Sequence, residues 1–360
     1  VIVHRGLFQY LSTILVVSCA LWAASDVIFS LEYSWILFLY RVLAPLIAAG
    51  VLVLFTIRSV FARAYRQRLS RSSLALWTLL FCASLAPIIR SLTFIPTYTV
   101  RPPEDTPTLT VLNLNALGFR DLSSAVIKEI EHRNPDIVTI QEVNPTFARA
   151  IEARFAEIYP CRILKPADGS WGMGTLAKNP CTERTMSPMG SWVGPPIIID
   201  TTTPTGSPLT VANFHAIHPH AGFLDGYPGI LSRTDLNLWQ RLSQPIFDRQ
   251  ESVGFLLDTI GDPARRNVVI AGDLNSSIRN GVYATVRNAG YHDTWLDLRS
   301  AFSGGTWPAP EFLGGFGLGW LLRIDFMFRS ESLFPTQIEL LPETLGSDHR
   351  GMFARFAVMM

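Results

Sequence analysis

Three apolar stretches, Leu7 to Phe29, Ser34 to Ile57 and Ser72 to Ile95, fill most of the first hundred residues. Each is close to the ~20 residues that a helix needs to cross a ~30 Å hydrocarbon core. The sequence therefore predicts three transmembrane helices and a membrane anchor over residues 1–100. Arg58, Arg63, Arg66, Arg68 and Arg71 fall between the second and third stretches, whereas the link between the first and second offers only Asp26 and Glu32 before Arg41. Positively charged loops stay cytoplasmic, and His4 and Arg5 keep the N-terminus there too. The expectation is a multi-pass plasma-membrane protein with a cytoplasmic N-terminus and an extracytoplasmic domain after about residue 100. Cleavage of a signal peptide, or lipidation at Cys19, is disfavoured because the apolar run continues past Cys19 to Phe29 and two more follow. Asp26, Arg41 and Arg90 are read as snorkelling or ion-paired groups at the outer interface, ahead of a lipid-phosphate cradle.

Pro102-Pro-Glu-Asp-Thr-Pro107 marks a break in composition, a short stiff linker over 101–107. Charge divides at the same place. The first hundred residues carry eight arginines and two acids; the whole chain is at +1, so residues 101–360 are net −5. With 48% hydrophobic and 16% charged residues, the chain is neither disordered nor a small disulfide scaffold.

Beyond the linker, a second domain is expected over 108–360. Leu109 to Asn115 alternates as a strand, Ser123 to Glu131 reads as a helix capped near Asp121, and Ile137 to Glu142 is a second strand. Asn267 to Asp273, Leu322 to Phe328 and Gly351 to Val358 are strand-like too. Cys161 and Cys181 bracket two segments that meet at their outer ends if they pair as an antiparallel hairpin. A disulfide between them is then expected on the oxidising side of a membrane, with two separate buried thiols as the alternative.

Polar groups gather where these strands run out: Asn113 and Asn115, Glu142, Asn213 and His215, Asp273 and Asn275, Asp325, and Asp348 with His349. If the ends converge, like charges meet at a cost that a cation or shared protons must relieve. Carboxylate and amide oxygens without thiolates suit a hard divalent ion, Mg²⁺ or Mn²⁺. Asn113 is expected to face away from Asn115 as a structural residue, and Asn213 is either a site residue or a strand-end hydrogen bonder. His218 and His220 read as a solvated loop, because Pro219 breaks regular spacing, with an added metal or phosphate contact as the alternative. Gly172-Met-Gly174 and Gly314 to Gly319 read as flexible loops, since neither precedes a helix start with the lysine that a phosphate cradle requires.

Five ordered motifs carry a resemblance: Leu112-Asn-Leu-Asn115, Ile140-Gln-Glu142-Val, Asn213-Phe-His215, Gly272-Asp273-Leu-Asn275, and Arg323-Ile-Asp325-Phe-Met with Gly346-Ser-Asp348-His349-Arg350. From about residue 108 onward the chain resembles the endonuclease/exonuclease/phosphatase superfamily, relatives of DNase I, abasic-site endonucleases, inositol-polyphosphate phosphatases and neutral sphingomyelinases. The resemblance implies an α/β fold, a four-layer α/β/β/α sandwich with its pocket at one rim, and metal-dependent hydrolysis of phosphate esters. It implies that Glu142 binds the metal with help from Asn115 and Asp348. Asp273 would orient or deprotonate the attacking water, and Asn275 would donate to phosphate. His349, held by Asp325, would contact the phosphate, and His215 would contact phosphate or protonate the leaving oxygen.

Nucleases of this superfamily grip a polyanion with many basic residues, but residues 101–360 are net acidic and the chain has three lysines, Lys128, Lys165 and Lys178. Tethering at a bilayer would raise the effective concentration of a membrane substrate. The expected partners are the lipid bilayer and a lipid-linked phosphate or pyrophosphate; no protein partner is inferable. The architecture also resembles bacterial membrane phosphatases associated with teicoplanin resistance. An extracytoplasmic nuclease and a catalytically silent binding module are the alternatives.

Overall fold

Leu109, Val111, Leu112 and Leu114 are all buried, yet they serve two cores. Leu109 and Val111 pack into one apolar cluster, Leu112 and Leu114 into another. A strand sends alternate side chains to opposite faces, so this strand is covered on both. In this computed structural model the described residues are 35–64, 74–79, 102–103, 105–187, 190–218, 237–264, 266–299, 303–313, 320–342 and 344–358.

The chain divides into two units, Val1–Thr93 with Arg279–Gly281, and Phe94–Ile278 with Val282–Met360. In the first, helix α1 (Trp35–Ala64) coincides with the second apolar stretch, and a helical segment follows at 74–79. The first stretch lies outside the described residues, and the third is described only over 74–79. Among the described residues no helix is long and apolar enough to cross a membrane. The expectation of three transmembrane helices is thus not supported by the fold.

Among the described residues the second unit holds twelve strands in two sheets. The first sheet contains β1 (Thr108–Asn115), β2 (Ile137–Gln141), β3 (Cys161–Lys165), β4 (Met173–Ala177), β11 (Leu333–Leu340) and β12 (Met352–Val358), in the order β11-β12-β1-β2-β4-β3. The second contains β5 (Thr182–Arg184), β6 (Ile197–Thr202), β7 (Pro208–His215), β8 (Asn267–Asp273), β9 (His292–Asp293) and β10 (Asp325–Arg329), in the order β5-β6-β7-β8-β10-β9.

Helices α2 (Ser123–Arg133) and α3 (Pro145–Phe155) cover the first sheet, placing Val126, Ile130, Phe147 and Ile151 against Leu112, Leu114, Val138 and Ile140. Helices α4 (Leu238–Ile260) and α5 (Gly281–Asn288) add Val253, Leu256, Val282 and Tyr283 to the larger core, which also takes Leu109 and Val111 from the first sheet and Ile199, Val211 and Ile270 from the second. The short helix α6 (Thr294–Leu298) follows β9. The expected two-sheet α/β sandwich is the fold of this unit. Cys161 in β3 is bonded to Cys181 just before β5, with Cα atoms 5.4 Å apart, and β3 and β4 pair antiparallel as expected. The bridge thereby joins an edge of one sheet to an edge of the other.

One sequence expectation fails here. Met173 and Gly174 lie in β4 rather than in a flexible loop. A Cβ at Gly172 would fall 1.8 Å from the Val143 carbonyl oxygen, so this glycine serves close backbone approach. The segment Gly314 to Gly319 lies outside the described residues.

Candidate active site

In the first sheet β1 and β2 run parallel and β12 antiparallel to them, so the ends of β1 and β2 share an edge with the approach to β12. In the second, β7 and β8 are parallel and β10 is antiparallel, which sets His215 and Asp325 on either side of Asp273 in the ladder. The polar strand ends therefore converge because of sheet topology.

Glu142 follows β2 with φ 63°, a left-handed backbone uncommon outside glycine. Its Oε2 accepts from the Gly118 backbone N–H at 3.0 Å, and its Oε1 accepts from Asn115 Nδ2 at 3.2 Å. The same Nδ2 lies 3.4 Å from Asp273 Oδ2, so one amide bridges a carboxylate from each sheet. Both carboxylates are buried. Burial pushes the Glu142 carboxyl above the usual range, and burial with the neighbouring Asp325 pushes Asp273 well above it.

Two imidazoles flank Asp273. His215 Nε2 is 3.5 Å and His349 Nε2 3.8 Å from Asp273 Oδ2, while His349 Nδ1 hydrogen-bonds Asp325 Oδ2 at 2.8 Å. Burial opposes a charge on His349, but the Asp325 carboxylate outweighs it, with Asp273 and Asp348 adding to the effect, and raises the ring to about 10. Burial, followed by repulsion from His218 and His349, lowers His215 well below its ordinary value. At neutral pH one ring is an imidazolium and the other is neutral, an assignment of opposite roles by environment.

Asp348 stands beside this pair. Its Oδ2 accepts from Trp307 Nε1 at 3.1 Å, and its buried Oδ1 lies 4.0 Å from His349 Nε2 without a hydrogen bond. Asp325 Oδ1 is likewise buried and unpartnered. Orphaned carboxylate oxygens beside two carboxyls whose ionisation burial opposes are what a divalent cation would satisfy. Asp273, Asp325 and His349 bring ligand atoms within 4.8 Å of one another. Asp325 and His349 already bond each other, however, so Glu142 and Asp273 are the better oxygen pair for a hard ion, while Asn115 turns its Nδ2 toward both and accepts the Leu117 N–H on its Oδ1 at 3.1 Å.

Of the expected site residues, Asn115, Glu142, His215, Asp273, Asp325 and His349 come together and Asp348 adjoins them. Asn275 donates its backbone N–H to Asp273 Oδ1 at 2.8 Å, but its side-chain amide is occupied by the Ala216 carbonyl at 2.9 Å and His218 Nδ1 at 3.2 Å. His218 is thus a contact of the site rather than a solvated loop residue, packed edge-on against His215 with centroids 5.5 Å apart. His220 lies outside the described residues.

Asn113 shares a face with Asn115, contrary to expectation, because residues two apart on a strand point the same way. Its Oδ1 accepts from Thr139 Oγ1 at 2.8 Å and Gln141 Nε2 at 3.0 Å. Asn213 proves structural: its Oδ1 accepts from Gln141 Nε2 at 2.7 Å, and its Nδ2 donates to the Gly174 carbonyl at 2.7 Å. These amides stitch the two sheets together below the site. Sequence reasoning gave no role to Gly118 or Ser347. Ser347 Oγ donates to the Asn115 carbonyl at 2.8 Å and accepts from the His349 backbone N–H at 3.1 Å. The signal for Ser347 was its place in Gly346-Ser-Asp348-His349; for Gly118 there was none beyond being a glycine shortly after a strand.

A profile described as the Endonuclease/Exonuclease/phosphatase family matches residues 111–349. Among solved structures, an endonuclease/exonuclease/phosphatase from Beutenbergia cavernae is similar, at 17% identity and TM-score 0.52, covering 70% of this chain and 72% of its own. A family protein from Bacteroides thetaiotaomicron is similar at 17% identity and TM-score 0.50, covering 71% of this chain and 100% of its own. At these identities the likeness speaks to the fold alone. No curated protein matches the sequence.

Proposed function

The chain belongs to the endonuclease/exonuclease/phosphatase family, whose members are metal-dependent hydrolases of phosphoester bonds, and from that premise we propose that it cleaves lipid-linked phosphate or pyrophosphate esters at a membrane surface. The observation that carries this reading is the meeting of Glu142, Asp273 and His349, from the ends of three different strands and the loops beside them, at one buried rim.

Glu142 and Asp273, bridged by the Asn115 amide and with Asp348 beside them, would hold Mg²⁺ or Mn²⁺, which when bound would neutralise non-bridging phosphate oxygens. Asp273, flanked by both imidazoles, is the group to orient a water and take its proton. His349 is fixed by Asp325 as an imidazolium, so its Nε2–H is the charged donor available to a phosphate oxygen or to the departing one. His215, neutral and buried, suits hydrogen bonding better than proton delivery, which shifts the acid role toward His349. Asn275, its side chain already engaged, would act by holding the loop beyond Asp273.

Two observations support a membrane substrate. Leu39, Leu43, Leu46, Leu52, Val53, Leu54, Ile57 and Val60 of α1 are all more than a third exposed, a display of large apolar groups that water disfavours and lipid accepts. The acidic balance after residue 100 weighs against a polyanionic backbone. The test is to give purified full chain and Mg²⁺ a panel of polyprenyl diphosphate, sphingomyelin, phosphoinositide and plasmid DNA. Preferential consumption of a lipid phosphate supports the proposal; faster cleavage of DNA replaces it with the nuclease reading.

A further inference from the structure

Arg350 follows directly on Asp348 and His349. Its guanidinium carbon lies 4.5 Å from the centre of the Trp320 ring, and its backbone N–H donates to the Thr306 carbonyl at 2.9 Å. Thr306 is buried, and its hydroxyl accepts from the backbone N–H groups of Ile324 at 3.1 Å and Asp325 at 3.2 Å. One threonine therefore fastens the backbones of Arg350 and Asp325 together. Asp325 in turn holds His349, so the arginine–tryptophan stack is set in a fixed position relative to the aspartate–histidine pair. Trp307, the neighbour of Thr306, ties Asp348 to the same piece.

Among the described residues no carboxylate faces the guanidinium. Its Nε is buried without a hydrogen-bond partner, and among the described residues Arg350 makes no ion pair. A partly desolvated positive charge is costly when uncompensated. Stacking on an indole face supports the cation while leaving its N–H edge available for a planar, bidentate anion contact. Closing the loop by packing would not require a charge left without a counterion beside a phosphate-handling site.

We propose that Arg350, stacked on Trp320, is a subsite for a second anionic group of the substrate, the non-scissile phosphate of a diphosphate ester. This rests on the reading of the rim as a phosphoesterase site and narrows its substrate to diphosphates. The subsite binds and takes no part in bond breaking.

The test compares wild type with Arg350→Gln and Arg350→Lys on farnesyl diphosphate and farnesyl monophosphate. Loss of one charge-assisted contact predicts kcat/KM on the diphosphate falling about tenfold in Arg350→Gln, mostly through KM, while the monophosphate stays within about twofold. Arg350→Lys should recover part of the loss. In parallel, calorimetric titration of the Mg²⁺-loaded proteins should show methylenediphosphonate binding about tenfold weaker in Arg350→Gln, with orthophosphate binding unchanged. An equal loss on both esters, or no loss on either, overturns the subsite. If wild type hydrolyses neither ester, the proposed function fails, and the titration still decides whether Arg350 distinguishes two phosphates from one.

Discussion

His349 Nδ1 sits 2.8 Å from Asp325 Oδ2 in a buried pair, while the far side of the same ring faces Asp273 Oδ2 at 3.8 Å. One carboxylate fixes the ring's charge and orientation, and the other shares the pocket into which that charge points.

The pair makes stability depend on pH in a definite direction. The folded value of about 10 lies above the ordinary 6.5, so the stabilisation is fully present below about pH 6.5 and is lost as pH rises through about 10. Asp325→Asn should cost about 3 kcal/mol in the metal-free protein near pH 6, and the gap should narrow toward pH 10. Urea unfolding of both proteins across this range checks it; a gap that is constant or widens with pH contradicts the pairing.

Metal removal should act oppositely with pH. Glu142 and Asp273 have folded values raised by burial, so they favour the metal-free fold at low pH and oppose it as pH rises and they ionise. Binding of a cation needs them ionised, so Mg²⁺ should raise Tm more at pH 7.5 than at pH 5. At a hundredfold excess over Kd the gain is about 2.7 kcal/mol. Scanning calorimetry with Mg²⁺ and with EDTA measures this, and Glu142→Gln should remove most of the gain. An equal Mg²⁺ effect at both pH values would argue against these ligands.

Asn213 should matter for stability rather than chemistry. Asn213→Ala removes from the interior between the sheets the shorter of the two Gln141 Nε2 hydrogen bonds and the amide donor to the Gly174 carbonyl, which predicts a loss of about 2–4 kcal/mol. The midpoint of urea unfolding should fall accordingly, with the remaining folded protein keeping its kcat. A variant as stable as wild type refutes the stitching role.

Gly118 has no room for a side chain: a Cβ there would fall 2.0 Å from the Gly169 carbonyl oxygen. Gly118→Ala must shift the loop whose N–H holds Glu142 Oε2. Mg²⁺ affinity, read by titration calorimetry, should drop about tenfold; unchanged affinity would separate that loop from the metal site.

Strand ends were the legible part of the sequence. Alternation over Leu109 to Asn115 and the apolar run into Asp273 fixed where strands stop, and sheet topology then brought those ends to one rim. Sequence could not say which polar residues face the rim and which face the opposite sheet. Asn113 and Asn213 resemble Asn115 and His215 in position but lie one pleat deeper, where Gln141 links the two across the interior. His218 reads as a solvated loop residue because Pro219 removes regular spacing, although a packed ring needs only proximity to His215. Gly172 looked mobile because a glycine that permits close backbone approach has the same letter as one that permits bending. The apolar stretches read correctly as helix for α1, while their relation to a bilayer depends on residues outside those described.

The most direct measurement is Mg²⁺-dependent phosphate release from polyprenyl diphosphate in bilayers by purified wild-type, Asp273→Asn and His349→Ala proteins, each first shown to be folded. Wild type should release phosphate only with the metal, and each variant should be slower by about 10² or more. Variants that keep the wild-type rate would contradict a phosphoesterase site built on Asp273 and His349.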